Sequence, residues 1–433
     1  MNFSKLFLFL LIFQFFINCQ KIKEMISFDS EYPNSITLNN GNILIAAENG
    51  IYLYDILVTN ISQVLNFTSD HQISTSEICI QTKFMQLPDE EGGNIFCLIK
   101  DLIYVFSPEA NYITFFDLSE DVDGIYYSLN FFKKESNYIY YTIAYNDKNK
   151  YFNLKYYKMN IFSNENSVVS QKNYESIDSQ GNYQQLFATN IACEAMLSNT
   201  KGKVLVCFYE NRNIKEVTIS SFLPEYGLEN IFIDKNIYIQ LDTYITLITS
   251  AVSTNLKTSL FCYLITQGSH TFCFLFNIDD YSYTKPVEYS DKCLFSLETF
   301  KAFYFQKTNT FCFCCGGANI YFKFIVINEE NEFVVNSEIS KIDDCYSHKS
   351  LSIAYQENIS KYLMIIQMNC RNGNFIRLFP LDNNTITSSL AYPEYNSFFS
   401  NIHDFAYLFC PENKPLLNVE NNECVDICSS DEI

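Results

Sequence analysis

Residues 36–55 read ITLNNGNILIAAENGIYLYD. Two tight-turn signals punctuate the stretch, Asn39-Asn40-Gly41-Asn42 and Asn49-Gly50, and alternating apolar runs flank both. Asn and Gly tolerate the positive φ that a short hairpin connection requires, so the chain is expected to fold back on itself twice here. The reading is three strands at 35–38, 42–47 and 51–55, with a fourth at 63–67 after a polar loop. Four antiparallel strands in so short a segment make one small sheet, and such a sheet cannot bury both faces without neighbours.

Further copies supply those neighbours. NILIAAENGIYLY from Asn42 aligns without gaps on NIFCLIKDLIYVF from Asn94, pairing Asn with Asn, Ile with Ile, and later Ile-Tyr with Ile-Tyr. Looser versions of the same strand are NYIYYTIAY from Asn137, KVLVCFYE from Lys203, HTFCFLF from His270, NTFCFCC from Asn309 and KYLMIIQMNC from Lys361. Seven units spaced by a few tens of residues fit repeats of four strands with variable loops.

Cysteines mark the same strand. Cys97, Cys207, Cys273 and Cys312 lie within it, and Cys79, Cys193, Cys262 and Cys293 precede them; Cys345 and Cys370 bracket a longer version. Adjacent antiparallel strands bring facing side chains within disulfide range, so five cross-strand bridges are expected, one per hairpin.

Radial stacking of four-stranded sheets buries both faces of each, and the pattern resembles the broad β-propeller superfamily of WD- and kelch-like repeats in strand arrangement. The Trp-Asp, Gly-His and Gly-Gly pairs of those families do not occur at matching positions, so no family function comes with the resemblance. The expected fold is all-β: a seven-bladed propeller over residues 20–409, with tandem β-sandwich-like domains as the alternative.

Composition bounds the setting. The 433-residue chain is 48% hydrophobic, enough to bury a large core, and its net charge of −20 argues against nucleic acid, which is held by clustered Lys and Arg. An apolar stretch at 6–17, after Lys5, has the length of a signal-peptide core and is too short to span a bilayer. Residues 1–19 are therefore read as a signal peptide, with no transmembrane segment after it and a secreted or cell-surface location. Sequons at Asn60, Asn66, Asn358 and Asn383 are glycosylation candidates in that setting.

From Cys410 the texture changes to CPENKPLLNVENNECVDICSSDEI. Cys-Pro followed by Cys-Val-x-x-Cys resembles the start of a growth-factor-receptor or furin-like cysteine-rich module, of the kind that follows large ectodomains in protist surface proteins. Residues 410–433 are read as its beginning, and a chain continuing past Ile433 to more cysteines accounts for the odd number left over.

Catalytic patterns are sparse. With four histidines and no Gly-x-Ser-x-Gly, His-Glu-x-x-His or phosphate-cradling loop, no catalytic residue is assigned. His270 is read as a turn-flanking surface histidine. CFCCGG at 312–317 lacks the paired spacing of a zinc site, and an oxidising compartment favours disulfides there, with Cys314 and Cys315 bonded to each other or to distant partners. Ser119, Asp121, Asp123 and Gly124 occupy positions one, three, five and six of a calcium loop, but Asn130 stands at the twelfth; a solvated acidic loop is expected, with calcium as the alternative. No other cofactor is expected. The functional expectation is a non-catalytic extracellular module that binds a protein or glycan. The alternatives are a secreted propeller hydrolase of glycosidase type, which needs paired carboxylates in the central channel, and a structural surface-coat or secretory-granule protein.

Overall fold

The computed structural model describes residues 25–27, 34–67, 82–118, 124–290, 300–381, 416–418 and 423–425, apart from short stretches of connecting loop; beyond 319 it describes backbone, and Ile353 as a buried side chain. The described residues form seven four-stranded antiparallel sheets, six of them meanders from an inner to an outer strand. The first contains Asn34–Thr37, Ile43–Ala47, Gly50–Asp55 and Asn60–Asn66. The second contains Lys83–Gln86, Ile95–Ile99, Leu102–Phe106 and Tyr112–Asp117. The third runs Gly124–Glu135, Tyr138–Asp147, Phe152–Asn160 and Glu165–Asn173. The fourth runs Ala188–Ser198, Gly202–Asn211, Glu216–Leu223 and Glu229–Ile237. In the fifth are Ile245–Val252, Thr258–Ile265, His270–Asn277 and Val287–Ser290. In the sixth are Lys301–Phe305, Thr310–Gly316, Ile320–Val326 and Asn336–Ile339.

The last sheet is assembled from both ends of the chain. Cys345–Gln356, Lys361–Cys370 and Gly373–Leu381 are completed by Met25–Ser27, which pairs antiparallel with the third of them through Met25↔Arg377, Ile26↔Ile376 and Ser27↔Phe375. Its inner strand lies beside the inner strand of the first sheet. The architecture is thus a propeller of four-stranded antiparallel blades, and the sheets meet as consecutive neighbours rather than as the face-to-face pairs of tandem sandwiches.

Burial on both faces explains the near-continuous apolar second strands. In Gly202–Asn211, Leu205, Cys207 and Tyr209 pack back against Phe152 and Leu154 of the third sheet, while Val204, Val206 and Phe208 pack forward against Phe261 and Phe274 of the fifth. Alternate side chains point to opposite faces, so each of the two blade interfaces receives one parity of the same strand. Equivalent cores join the first sheet to the second, the second to the third, and the fifth to the sixth. Two 3-10 turns, Asp89–Glu91 and Pro224–Tyr226, are the helical elements among the described residues, where no helix is long and apolar enough to cross a membrane.

Two details of the opening stretch separate. Gly41 takes φ 85° in the first turn, where Leu38 N–H donates to Asn42 O and Gly41 N–H to Leu38 O, both at 2.8 Å. Gly50 has a different reason to be glycine. It opens its strand, and a Cβ there would lie 2.1 Å from the Leu65 carbonyl oxygen, so close backbone approach requires it rather than a left-handed turn.

The expected copies hold with one exception. Six of the seven quoted segments cover second strands, but HTFCFLF is the third strand of its sheet, His270–Asn277. Its apolar spacing matches a second strand because Phe272, Phe274 and Phe276 also enter the core toward the fourth sheet.

Candidate functional site

The inner strands line a half-open cavity of about 530 Å³, to which residues of the first six sheets contribute together with Phe300, which directly precedes the sixth. A repeated irregularity shapes it. The pairing register of the inner strand slips between Tyr126 and Ser128 in the third sheet, between Thr189 and Ala192 in the fourth and between Ile245 and Leu247 in the fifth. The seventh shows the same slip between Cys345 and Ser347. A bulge adds a residue to one strand and re-aims its side chain. In the three central sheets the displaced residues are Tyr127, Asn190 with Ile191, and Thr246, and all four line the cavity.

These bulges also tie one blade to the next. Asn190, held at φ 51°, donates from Nδ2 to the Ile245 carbonyl of the fifth sheet at 2.7 Å. Asn34, at the start of the first inner strand, donates likewise to the carbonyl of Thr82, just before the second, at 3.1 Å. The Asn190 backbone amide in turn reaches the Tyr127 hydroxyl, whose pKa is nonetheless raised because burial dominates. Asn146 Nδ2 approaches the same hydroxyl at 3.4 Å.

Charge in the described lining is confined to Glu194, Lys83 and Lys301. Glu194, on the fourth inner strand, accepts a hydrogen bond from Ser250 Oγ of the fifth at 2.7 Å. Burial pushes its carboxyl up to about 7, against which the Ser250 bond is the smaller effect. Lys301 directs Nζ toward Asn34 Oδ1 at 3.4 Å and the Ser35 carbonyl at 3.5 Å, reaching from the sixth sheet to the first. Among the described lining residues Glu194 is the single carboxylate, and among the described residues no group of three His, Cys, Asp or Glu is placed to hold a metal ion.

The raised Glu194 value has a testable sign. A carboxyl that binds its proton more tightly folded than unfolded stabilises the fold below the ordinary value of 4.5 and loses that contribution as pH rises to about 7. Glu194→Gln is therefore expected to flatten the fall in urea midpoint between those two pH values. An unchanged pH profile would mean that the carboxylate is solvated in the folded protein.

The expected disulfides divide. Cys193–Cys207 and Cys262–Cys273 are bonded, each between direct cross-strand partners, but the first joins strands one and two of its sheet and the second joins strands two and three. The pairings of Cys97 with Cys79 and of Cys312 with Cys293 are corrected: Cys97 and Cys312 are buried free thiols. Register explains this, since Cys97 faces Phe84 and Cys312 faces Phe303 on the preceding strands. Cys79 and Cys293 lie outside the described residues. Cys345 and Cys370 are register partners in the backbone of the last sheet. Cys315 is disulfide-bonded whereas Cys314 is a free thiol 3.7 Å from Cys312 Sγ, so Cys314 and Cys315 are not bonded to each other.

Of the other candidates, Asn66 is exposed at the end of its strand and Asn60 begins the same strand. Asn358, Asn383, Ser119, Asp121 and Asp123 lie outside the described residues, as does the signal segment. His270 is partly exposed and contacts Glu288 through Nδ1. In the tail, Leu416–Asn418 pairs with Glu423–Val425, which carries Cys424. Of the cavity residues the sequence reading named Asn130 and Cys193, each for another reason, and the rest escaped it. Their only linear trace is a polar residue interrupting the start of an apolar inner strand, a trace many loop ends share.

No family model matches this chain, and no curated protein matches it. Among solved structures it is similar to a chain of the mitotic checkpoint complex, at 8% identity and TM-score 0.49, covering 82% of this chain and 91% of that one. It is also similar to the Dos1 propeller, at 10% identity and TM-score 0.48, covering 83% and 87%. An oligogalacturonate lyase in complex with manganese aligns at 7% identity and TM-score 0.48, covering 82% and 90%.

Proposed function

We propose that the chain is a secreted or cell-surface recognition module, a seven-bladed propeller that binds an extracellular protein or glycan without transforming it. The observation that carries the reading is the central cavity, into which bulges of consecutive inner strands aim side chains of mixed polarity. A rigid scaffold presenting irregular backbone at one site is how binding surfaces are commonly built. The two cross-strand disulfides support an oxidising compartment, where such bonds persist. The seven sheets, with the first strand closing the last, support a ring of seven blades. The tail from Cys410 fits a following cysteine-rich module.

The test is expression through a secretory pathway from the chain's own N-terminus. Mass analysis is expected to show cleavage near Cys19 or Gln20, and the fluorescently labelled, multimerised protein is expected to bind cell surfaces saturably. Retention of the chain inside the cell with its thiols reduced, or staining that never saturates, would overturn the reading. Turnover of glycosides that disappears in Glu194→Gln would replace it with the hydrolase reading.

A further inference from the structure

The outer strand of a blade presents unpaired backbone N–H and C=O groups, and proteins protect such an edge with charge, brevity or cover. Six of the seven outer strands show one of these. Glu165–Asn173, Glu229–Ile237, Val287–Ser290 and Asn336–Ile339 each carry a glutamate, at Glu165, Glu229, Glu288 and Glu338. Asn60–Asn66 begins and ends on a sequon asparagine, and Met25–Ser27 has only three residues. The exception is Tyr112–Asp117, which ends the second sheet, is six residues long and is charged only at the last of them. Among the described residues no strand lies beyond it.

Side chains make this edge apolar as well. Tyr112, Ile113 and Phe115 are 40%, 43% and 41% exposed. The pairing register slips at Ile113, and a bulge re-aims side chains, which is how two consecutive apolar residues come to face solvent. The outer strands of the first, third, fourth and fifth sheets slip too, so the bulge does not set this edge apart; its exposed aromatic residues do. Past the slip, Thr114 to Asp117 pair in unbroken register with Val105 to Leu102, which leaves a regular edge for a further strand. Thr114 Oγ1 donates to Asn164 Oδ1, in the outer turn of the third sheet, at 3.1 Å, and Phe162, 83% exposed, stands two residues from that contact.

Charge selects the occupant. Glu109, in the turn that leads into Tyr112, accepts from Ser107 Oγ at 2.8 Å, and Glu165 directly follows Asn164. Both are exposed, and neither has an ion-pair partner among the described residues. Residues 83–117 hold six Asp and Glu against two Lys, in a chain of net charge −20. A second copy of the chain would set these carboxylates against its own, whereas a Lys or Arg on an incoming segment would meet them. We propose that the edge of Tyr112–Asp117 is a second interaction surface, separate from the cavity, that takes up an extended apolar segment of a partner protein flanked by Lys or Arg. Main-chain bonds along the edge supply the affinity, and contacts of alternate side chains with Tyr112, Ile113 and Phe115 supply the selectivity.

The experiment follows a labelled peptide, Lys-Lys-Val-Thr-Ile-Thr-Val-Lys-Lys, by fluorescence anisotropy as the folded chain is titrated in. The peptide is expected to bind with a Kd of about 100 µM or tighter, more weakly as salt rises, and to slow hydrogen exchange across Tyr112–Asp117. The same peptide with Glu in place of each Lys is expected to bind at least about tenfold more weakly, and one with Pro at its centre, which breaks the pairing, not to bind. Ile113→Lys, at an exposed position, is expected to lower the affinity about tenfold with the urea midpoint unchanged, and Ile113→Val to keep it. Phe162→Ser, expected to lower it about threefold, stands in if that midpoint shifts. No binding up to about 1 mM, equal binding of the acidic peptide, or wild-type affinity in Ile113→Lys would overturn the inference. Sedimentation showing a dimer of the chain that Ile113→Lys dissolves would give the edge to a second copy, and protection of every amide of Tyr112–Asp117 in the unbound chain would show it already covered; either overturns the partner segment. Failure here leaves the cavity reading standing, because none of these residues lines the cavity.

Discussion

A chain truncated to begin after Ser27 is expected to lose folded yield by on the order of tenfold, and the fraction recovered should associate into larger species. Met25–Ser27 contributes the outermost strand of the last sheet, and nothing else among the described residues takes that place. Without it, Gly373–Leu381 presents a row of unpaired backbone groups, and FIRLF at its centre, Phe375 to Phe379, is apolar enough to pair with another chain. Size-exclusion chromatography of the truncated and untruncated forms measures the association, and limited proteolysis maps cleavage within 361–381. Ile26→Pro is the matched point variant: it keeps the length, removes one donor and restricts the backbone, so a milder loss in the same direction is expected. A truncated protein that remains monomeric with an unchanged urea midpoint would show that the three pairs do not hold the last sheet.

Phe208→Ala is the second large effect, a loss of about 3–5 kcal/mol measured as a lowered urea midpoint at constant m-value. Phe208 is fully buried, and its ring sits 5.6 Å from those of Phe261 and Tyr263 and 5.1 Å from Phe274 in an edge-on arrangement. Truncation removes the ring from the middle of the interface between the fourth and fifth sheets, whose strands are hydrogen-bonded on both sides and cannot collapse into the void. Aromatic pairing adds about 0.5–1.5 kcal/mol beyond buried area, which places the substitution toward the upper end of that range. Phe208→Leu, which retains most of the volume, is expected to cost less than half as much. Equal losses in the two variants would assign the effect to the ring contacts rather than to the cavity.

The parts of this fold that sequence reading recovered are those specified locally. Period-two apolar runs and Asn-Gly punctuation placed the four strands of the first sheet close to their observed positions, because alternation and turn chemistry act over a few residues. Three features were not recoverable for the opposite reason. Met-Ile-Ser has no local signature of a strand, and its partner lies some 350 residues away in the chain. The bulges at Tyr127, Asn190 and Thr246 are mismatches between two strands and exist only relative to a partner, so the cavity they shape was invisible. Cys97 and Cys312 shared the spacing of Cys207, yet what a cysteine faces depends on register, and a phenylalanine stood opposite each. The two bridges described in full lie on strands whose register sets cysteine against cysteine.

Ring closure through the first strand also imposes a schedule on biosynthesis. Residues 25–27 leave the ribosome early, but Gly373–Leu381 follows only after some 350 more residues, roughly 20–70 s later at ordinary elongation rates. The two described disulfides span 14 and 11 residues within single sheets and need no such wait. The nascent protein therefore grows as an open arc of cross-linked blades carrying an unpaired terminal strand, and its period of greatest exposure to misassembly ends when the last sheet emerges and takes that strand up.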